Sequence, residues 1–243
     1  MNWISFLECL SPLAAVALVC VCLFRFQRAA GSPNGLRHLP GWLEQGALWC
    51  TSSLVAPLAR YAWMPSFLNG MGLLLCAGAG AVYAVGAAPL AGWLLLLGGL
   101  CDTLDGRTAR HRRAASRRGA FADSVLDRYS EMAVYTGLAW HFREGDGLFW
   151  AWSALFFSFM VSYTRARAEG LGYALRGGLM QRPQRLALLI AASIFSPVGR
   201  IFWDVGDPVM LGGVALVAIL SAFTAVRRLV AGLLALGEKE DHP

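Results

Sequence analysis

The chain has 243 residues, of which 57% are hydrophobic and only 15% charged, with a net charge of +6. Soluble domains carry about a quarter charged residues, so this composition and a mean hydropathy of +0.52 exclude an ordinary soluble enzyme. The positive charge comes from 20 arginines and one lysine, Lys239. These residues border apolar stretches and form no DNA-binding motif, which argues against a nucleic-acid partner.

No Asp, Glu, Lys or Arg occurs in residues 61–101, 147–164, 186–199 or 208–226. Apolar windows of about 17–25 residues are what a membrane-spanning helix needs. Seven spans are predicted, at 10–24, 68–85, 89–105, 119–142, 147–166, 185–203 and 209–231. The first lacks a basic start and a small-residue cleavage site, so residues 1–28 read as an extra N-terminal anchor, not a signal peptide. Residues 29–63 form a juxtamembrane segment. Within it, 42–60 mixes apolar residues with Glu44, Gln45 and Arg60, the pattern of a helix lying in the membrane interface. Residues 64–232 hold six spans, and 233–243 form a polar tail whose last residues, 238–243, are expected to be disordered. The expected fold is an all-α polytopic membrane protein: a six-helix transmembrane core, an interfacial N-terminal helix and one extra N-terminal span.

Arginine placement sets the orientation. Arg107, Arg110, Arg112, Arg113, Arg117 and Arg118 fall in one loop, and Arg165, Arg167, Arg176, Arg182 and Arg185 in another. The intervening loops pair Arg143 with Glu144 and Asp146, and Arg200 with Asp204 and Asp207. The positive-inside rule puts the arginine-rich loops and the tail in the cytoplasm. The six cysteines make no C-x-x-C or Cys/His metal spacing, and read as small buried residues.

Against this apolar background stand four carboxylates, Asp102, Asp105, Asp123 and Asp127. A carboxylate at membrane depth is costly and demands a compensating cation or a function. Residues 102 and 105 share one helix face, as do 123 and 127. If the two helices form a hairpin, all four converge. Oxygen ligands without His or Cys suit Mg²⁺ or Mn²⁺ and argue against zinc, so a two-metal site is expected.

Residues 102–127 match the signature D-x2-D-G-x2-A-R-x8-G-x3-D-x3-D at every fixed position: Asp102, Asp105, Gly106, Ala109, Arg110, Gly119, Asp123 and Asp127. On these residues the chain resembles the CDP-alcohol phosphotransferase family over about residues 57–230. The resemblance implies a six-helix membrane enzyme, usually a homodimer, in a prokaryotic cytoplasmic membrane with its active site facing the cytoplasm. It also implies transfer of a phosphatidyl group from CDP-diacylglycerol to an alcohol, releasing CMP. By that resemblance Asp102, Asp105, Asp123 and Asp127 hold two Mg²⁺ ions (or Mn²⁺), and Asp127 is the catalytic base. The nucleotide lies against Asp102, Asp105, Gly106, Ala109, Arg110 and Gly119.

The acceptor is read from a second segment. Ser162-Tyr163-Thr164-Arg165-Ala166-Arg167-Ala168-Glu169-Gly170-Leu171-Gly172 is similar to S-Y-x-K-A-R-A-E-x-L-G of the phosphatidylinositol phosphate synthase branch. Gly178-Leu179-Met180-Gln181-Arg182-Pro183-Gln184-Arg185 is similar to its G-(I/L)-x-E-R-x-x-R. The resemblance implies that Ser162, Arg165, Arg182 and Arg185 bind an acceptor carrying its own phosphate, such as inositol 1-phosphate. Arg165 replaces the usual lysine and Gln181 the usual glutamate. Where the family often has P-N-x-x-T, this chain has Pro65-Ser66-Phe67-Leu68-Asn69. Glycerol 3-phosphate, used by a phosphatidylglycerophosphate synthase, is the alternative acceptor. An anion or phosphosugar transporter is the alternative from another class.

Overall fold

The computed structural model describes residues 11, 12, 14, 54–114, 116–174, 178–202 and 207–241. The first predicted span, apart from residues 11, 12 and 14, and most of the predicted interfacial helix lie outside these residues. The described residues contain helices and no strand. After a short helical segment at 54–58 come six long helices. They are α1 (Met64–Ala84), α2 (Ala88–His111), α3 (Arg117–His141), α4 (Gly147–Gly170), α5 (Arg182–Phe202) and α6 (Pro208–Asp241).

Three of them, α1, α4 and residues Pro208–Ala235 of α6, are both long and apolar enough to cross a membrane. The other three carry the charges of the predicted site at their ends, which lowers their hydropathy but not their reach. At 1.5 Å per residue, the 24 residues of α2 extend about 36 Å, against a hydrocarbon core of about 30 Å.

The helices pack in a closed ring. α1 lies between α2 and α3, α2 packs on α5, α5 on α6, α6 on α4, and α4 returns to α3. Small residues make the close approaches possible, as expected where helices associate inside lipid. A Cβ built on Gly137 would come within 1.9 Å of the Gly80 carbonyl oxygen, and one on Gly80 within 2.3 Å of the Ala133 oxygen. The α1–α3 crossing is therefore backbone against backbone. On the other side of α1, a Cβ at Gly98 would meet Cys76 Sγ at 3.0 Å. Ala79, Ala91, Leu95, Leu138, Ala154 and Val214 fill the centre and are fully or almost fully buried. Leu74, Leu97, Trp152, Phe156 and Phe223 face outwards, where lipid takes the place of water.

The turns follow local chemistry. Gly86, at φ +84°, reverses the chain between α1 and α2, and Pro89 sits in the first turn of α2. At the other end of α2, the Arg113 amide donates to the Arg110 carbonyl and the Ala114 amide to that of Ala109. Arg113 itself is left-handed, at φ +53°, completing a Schellman stop with an arginine where glycine is usual. Ser116 then caps α3, its Oγ accepting from the Gly119 amide at 3.0 Å. Arg112 ties this loop back by donating to the Ala59 carbonyl at 2.6 Å.

Several helices outrun their predicted spans. α2 continues past Asp105 to His111 and α4 past 166 to Gly170, while α6 runs through Asp241. The expected disorder of the tail is thus replaced by helix as far as Asp241. Leu, Ala, Glu and Lys of the 233–240 stretch are strong helix formers, and helical hydrogen bonds do not stop where the chain leaves the apolar layer.

Candidate active site

Asp102 and Asp105 lie in the C-terminal half of α2, and Asp123 and Asp127 in the first half of α3. These helices do not pack directly as a hairpin, the condition under which all four carboxylates would converge. α1 separates them, and the carboxylates meet across its N-terminal half. Asp102, Asp123 and Asp127 each bring a carboxylate oxygen within 4.8 Å of the others. Asp105 stands outside this group. It is buried, and its Oδ1 accepts from the adjacent Gly106 amide. The structure thus brings three of the four predicted ligands together.

Asn69 on α1 donates from Nδ2 to Asp123 Oδ1 at 3.2 Å. It is the last residue of the Pro65–Asn69 stretch that departs from the family pattern, and its amide is what orients Asp123. An all-oxygen group of this size fits a hard divalent cation such as Mg²⁺ or Mn²⁺. Asp102, Asp123 and Asp127 would hold it.

Arg182, at the start of α5, closes the group from the opposite side. Its Nη1 pairs with Asp102 Oδ2 at 2.7 Å and its Nη2 with Asp127 Oδ1 at 2.8 Å. Arg182 is placed by the preceding loop, which is fixed to α6. Gly178, at φ +134°, leaves no room for a Cβ beside Thr224, and the Met180 amide donates to Thr224 Oγ1 at 3.1 Å.

Arg185, one turn further on, has a different environment. It is 2% exposed. Its Nη2 donates to Glu131 Oε1, and its Nη1 to the Met180 carbonyl at 3.2 Å. Glu131 also pairs with Arg128 at 3.3 Å. Sequence reasoning missed Glu131, although it continues the i, i+4 stripe of Asp123 and Asp127 along α3.

The other predicted residues spread around this centre. Arg110 folds back over Gly106, its Nη1 3.3 Å from where a Cβ at that glycine would stand. Gly106 therefore clears space for an arginine of its own helix as well as for any ligand. Ala109 is half-buried beside it. Gly119 supplies the capped amide of α3 and so steadies the helix bearing two aspartates. Ser162 Oγ donates to the Ser158 carbonyl at 3.1 Å, and Arg165 pairs with Glu169 at 2.8 Å. Neither touches the carboxylates. Arg228 of α6, which the sequence did not single out, is buried and donates to the Val161 carbonyl at 2.6 Å. It stands within electrostatic reach of Arg165, Arg185 and Glu169.

The profile of the CDP-alcohol phosphatidyltransferase family matches residues 62–223. The chain is 36% identical over 134 residues to the phosphatidylinositol phosphate synthase of Mycobacterium tuberculosis, covering 54% of this chain and 60% of that one. It therefore spans less than two thirds of that relative. It is 33% identical over 178 residues to the archaetidylinositol phosphate synthase of Methanothermobacter thermautotrophicus, covering 72% of this chain and 87% of the relative. The fold is similar to the crystal structure of the M. tuberculosis phosphatidylinositol phosphate synthase with CDP-DAG bound. The TM-score is 0.67 at 29% identity, over 75% of this chain and 92% of that chain. A second structure of that enzyme, in complex with manganese and citrate, has the same TM-score at 28% identity. With the eight signature residues in place and the match spanning the helical core, the chain belongs to the CDP-alcohol phosphatidyltransferase family and is a membrane phosphotransferase.

Proposed function

We propose that this enzyme transfers the phosphatidyl group of CDP-diacylglycerol to inositol 1-phosphate, releasing CMP. The observation that carries the phosphorylated acceptor is the group of arginines beside the carboxylate centre. Arg182 touches Asp102 and Asp127 directly, and Arg165, Arg185 and Arg228 stand together nearby, the first two with Glu169 and Glu131 as partners. A free polyol has no need of such a concentration of charge, whereas a phosphate monoester matches the planar guanidinium fork. The names of the relatives support the same acceptor.

Asp102, Asp123 and Asp127 would hold a divalent cation, and a second ion would also engage Asp105 after its carboxylate turns from the Gly106 amide. The chemistry such a cation would supply when bound is neutralisation of charge on the transferring phosphoryl group and on the departing CMP. Asp127 takes the proton of the attacking acceptor hydroxyl. Its place beside Arg182 keeps that base next to the group that receives the acceptor phosphate. Arg110, folded over Gly106, faces the nucleotide phosphates. The arginine-rich helix ends support a centre that opens to the cytoplasmic side of the membrane.

The test is an acceptor panel. Purified protein, CDP-diacylglycerol and Mg²⁺ are offered inositol 1-phosphate, free inositol, glycerol 3-phosphate or serine, and CMP is measured. Release dependent on inositol 1-phosphate is expected. Release with glycerol 3-phosphate alone would transfer the assignment to the phosphatidylglycerophosphate reaction, and absence of CMP with every acceptor would count against transfer chemistry. Arg182→Gln should raise the acceptor KM more than it lowers kcat.

A further inference from the structure

Arg182 differs from every other arginine near the site, because it grips two of the carboxylates that would hold the metal. Its two terminal nitrogens reach Asp102 Oδ2 and Asp127 Oδ1, on two different helices. Asp102 and Asp127 also belong, with Asp123, to the convergent group. Three carboxylates within this space repel one another, and Arg182 is the one cation the described residues place in direct contact with two of them. The neighbouring Arg185 is held elsewhere, between Glu131 and the Met180 carbonyl. Arg182 is about one-fifth exposed and Arg185 is almost fully enclosed. The ion pairs of Arg182 are therefore less enclosed than that of Arg185, and a change of partner there costs less.

We propose that Arg182 is an exchangeable counter-cation of the metal carboxylates, coupling the binding of divalent cation to the binding of the acceptor's phosphate. While Arg182 pairs with Asp102 and Asp127, its positive charge opposes a divalent cation in the same group. A phosphate that draws the guanidinium away removes that opposition. By linkage each ligand then strengthens the other by the same factor. Arg182 is a positioning and coupling residue in this account, not a metal ligand. The coupling half rests on the phosphorylated-acceptor reading above; the counter-cation half does not.

Mn²⁺ binding to the purified full-length protein tests it, with free Mn²⁺ read by electron paramagnetic resonance and no turnover required. Arg182→Gln should bind Mn²⁺ about tenfold more tightly than the wild type, within the usual range of site–site coupling. Arg182→Lys, which keeps the charge, should stay close to the wild type and shows that a change in Arg182→Gln is not general misfolding. Inositol 1-phosphate, corrected for its own Mn²⁺ complexation, should tighten Mn²⁺ binding in the wild type and leave Arg182→Gln unchanged. CDP-diacylglycerol should tighten both, because its phosphates would offer oxygen ligands to the cation without involving Arg182. Weaker or unchanged Mn²⁺ binding in Arg182→Gln would overturn the counter-cation role. Equal tightening of both proteins by inositol 1-phosphate would overturn the coupling. If the wild type makes no CMP from inositol 1-phosphate yet Arg182→Gln binds Mn²⁺ more tightly, the acceptor reading alone has failed.

Discussion

At the scale of single residues, the site separates carboxylates that look equivalent in sequence. Asp102, Asp123 and Asp127 converge, whereas Asp105 is turned to the Gly106 amide. Replacing any of the three by Asn should therefore weaken Mn²⁺ binding more than Asp105→Asn does, as titration of the four variants will show. Asp127→Asn should lower CMP release by roughly 10³-fold, the scale of general-base catalysis, while leaving the melting temperature within a few degrees. The paired arginines should differ in kind. Arg185→Ala leaves the half-buried Glu131 carboxylate with Arg128 alone and should cost about 1–3 kcal/mol of stability, whereas Arg182→Ala should cost less, a contrast that thermal melts will resolve. The aspartates were legible because spacings of three and four residues put them on helix faces. Asn69, Glu131 and Arg228 were not, because each acts through a partner more than fifty residues away or on another helix.

At the scale of helices, glycine decides the packing. The α1–α3 crossing leaves no space for a methyl group at Gly137 or Gly80. Gly137→Ala should force the helices apart, costing about 1–3 kcal/mol by overpacking and weakening Mn²⁺ binding, because Asn69 and Asp123 meet across the same α1–α3 pair nearer its N-terminal end. Gly212→Ala meets nothing within 4 Å and should instead stabilise by up to about 1 kcal/mol through helix propensity. Comparing the melting temperatures of the two variants checks the assignment. Charge-free windows located the helices but not their ends. The site-bearing turns of α2, α3 and α5 contain the very charges that such windows exclude. Whether α2 and α3 pack as a hairpin was open in the sequence for a related reason: sequence proximity does not reveal that α1 inserts between them through Gly80, Gly98 and Gly137.

At the scale of the whole molecule, the ring of six helices gathers its functional residues at one end. α1, α3 and α5 begin there, and α2 ends there, so Asn69, Asp123, Asp127, Arg182 and Asp102 meet although they come from four helices. Among the described residues, the middle of the ring is mostly apolar apart from buried hydroxyls such as Ser158, Ser193 and Ser196, and the converging carboxylates lie at this end. Fold class and family were readable because composition and an eight-residue signature are local properties. Ring order was not, since it depends on where backbones can touch. The most direct measurement is CMP release from CDP-diacylglycerol and inositol 1-phosphate by wild-type protein and Asp127→Asn, each with Mg²⁺ and again after chelation. Release confined to the wild type with metal present is the predicted result. Release that persists after chelation, or in Asp127→Asn at the wild-type rate, would contradict a metal-dependent transfer built on these aspartates.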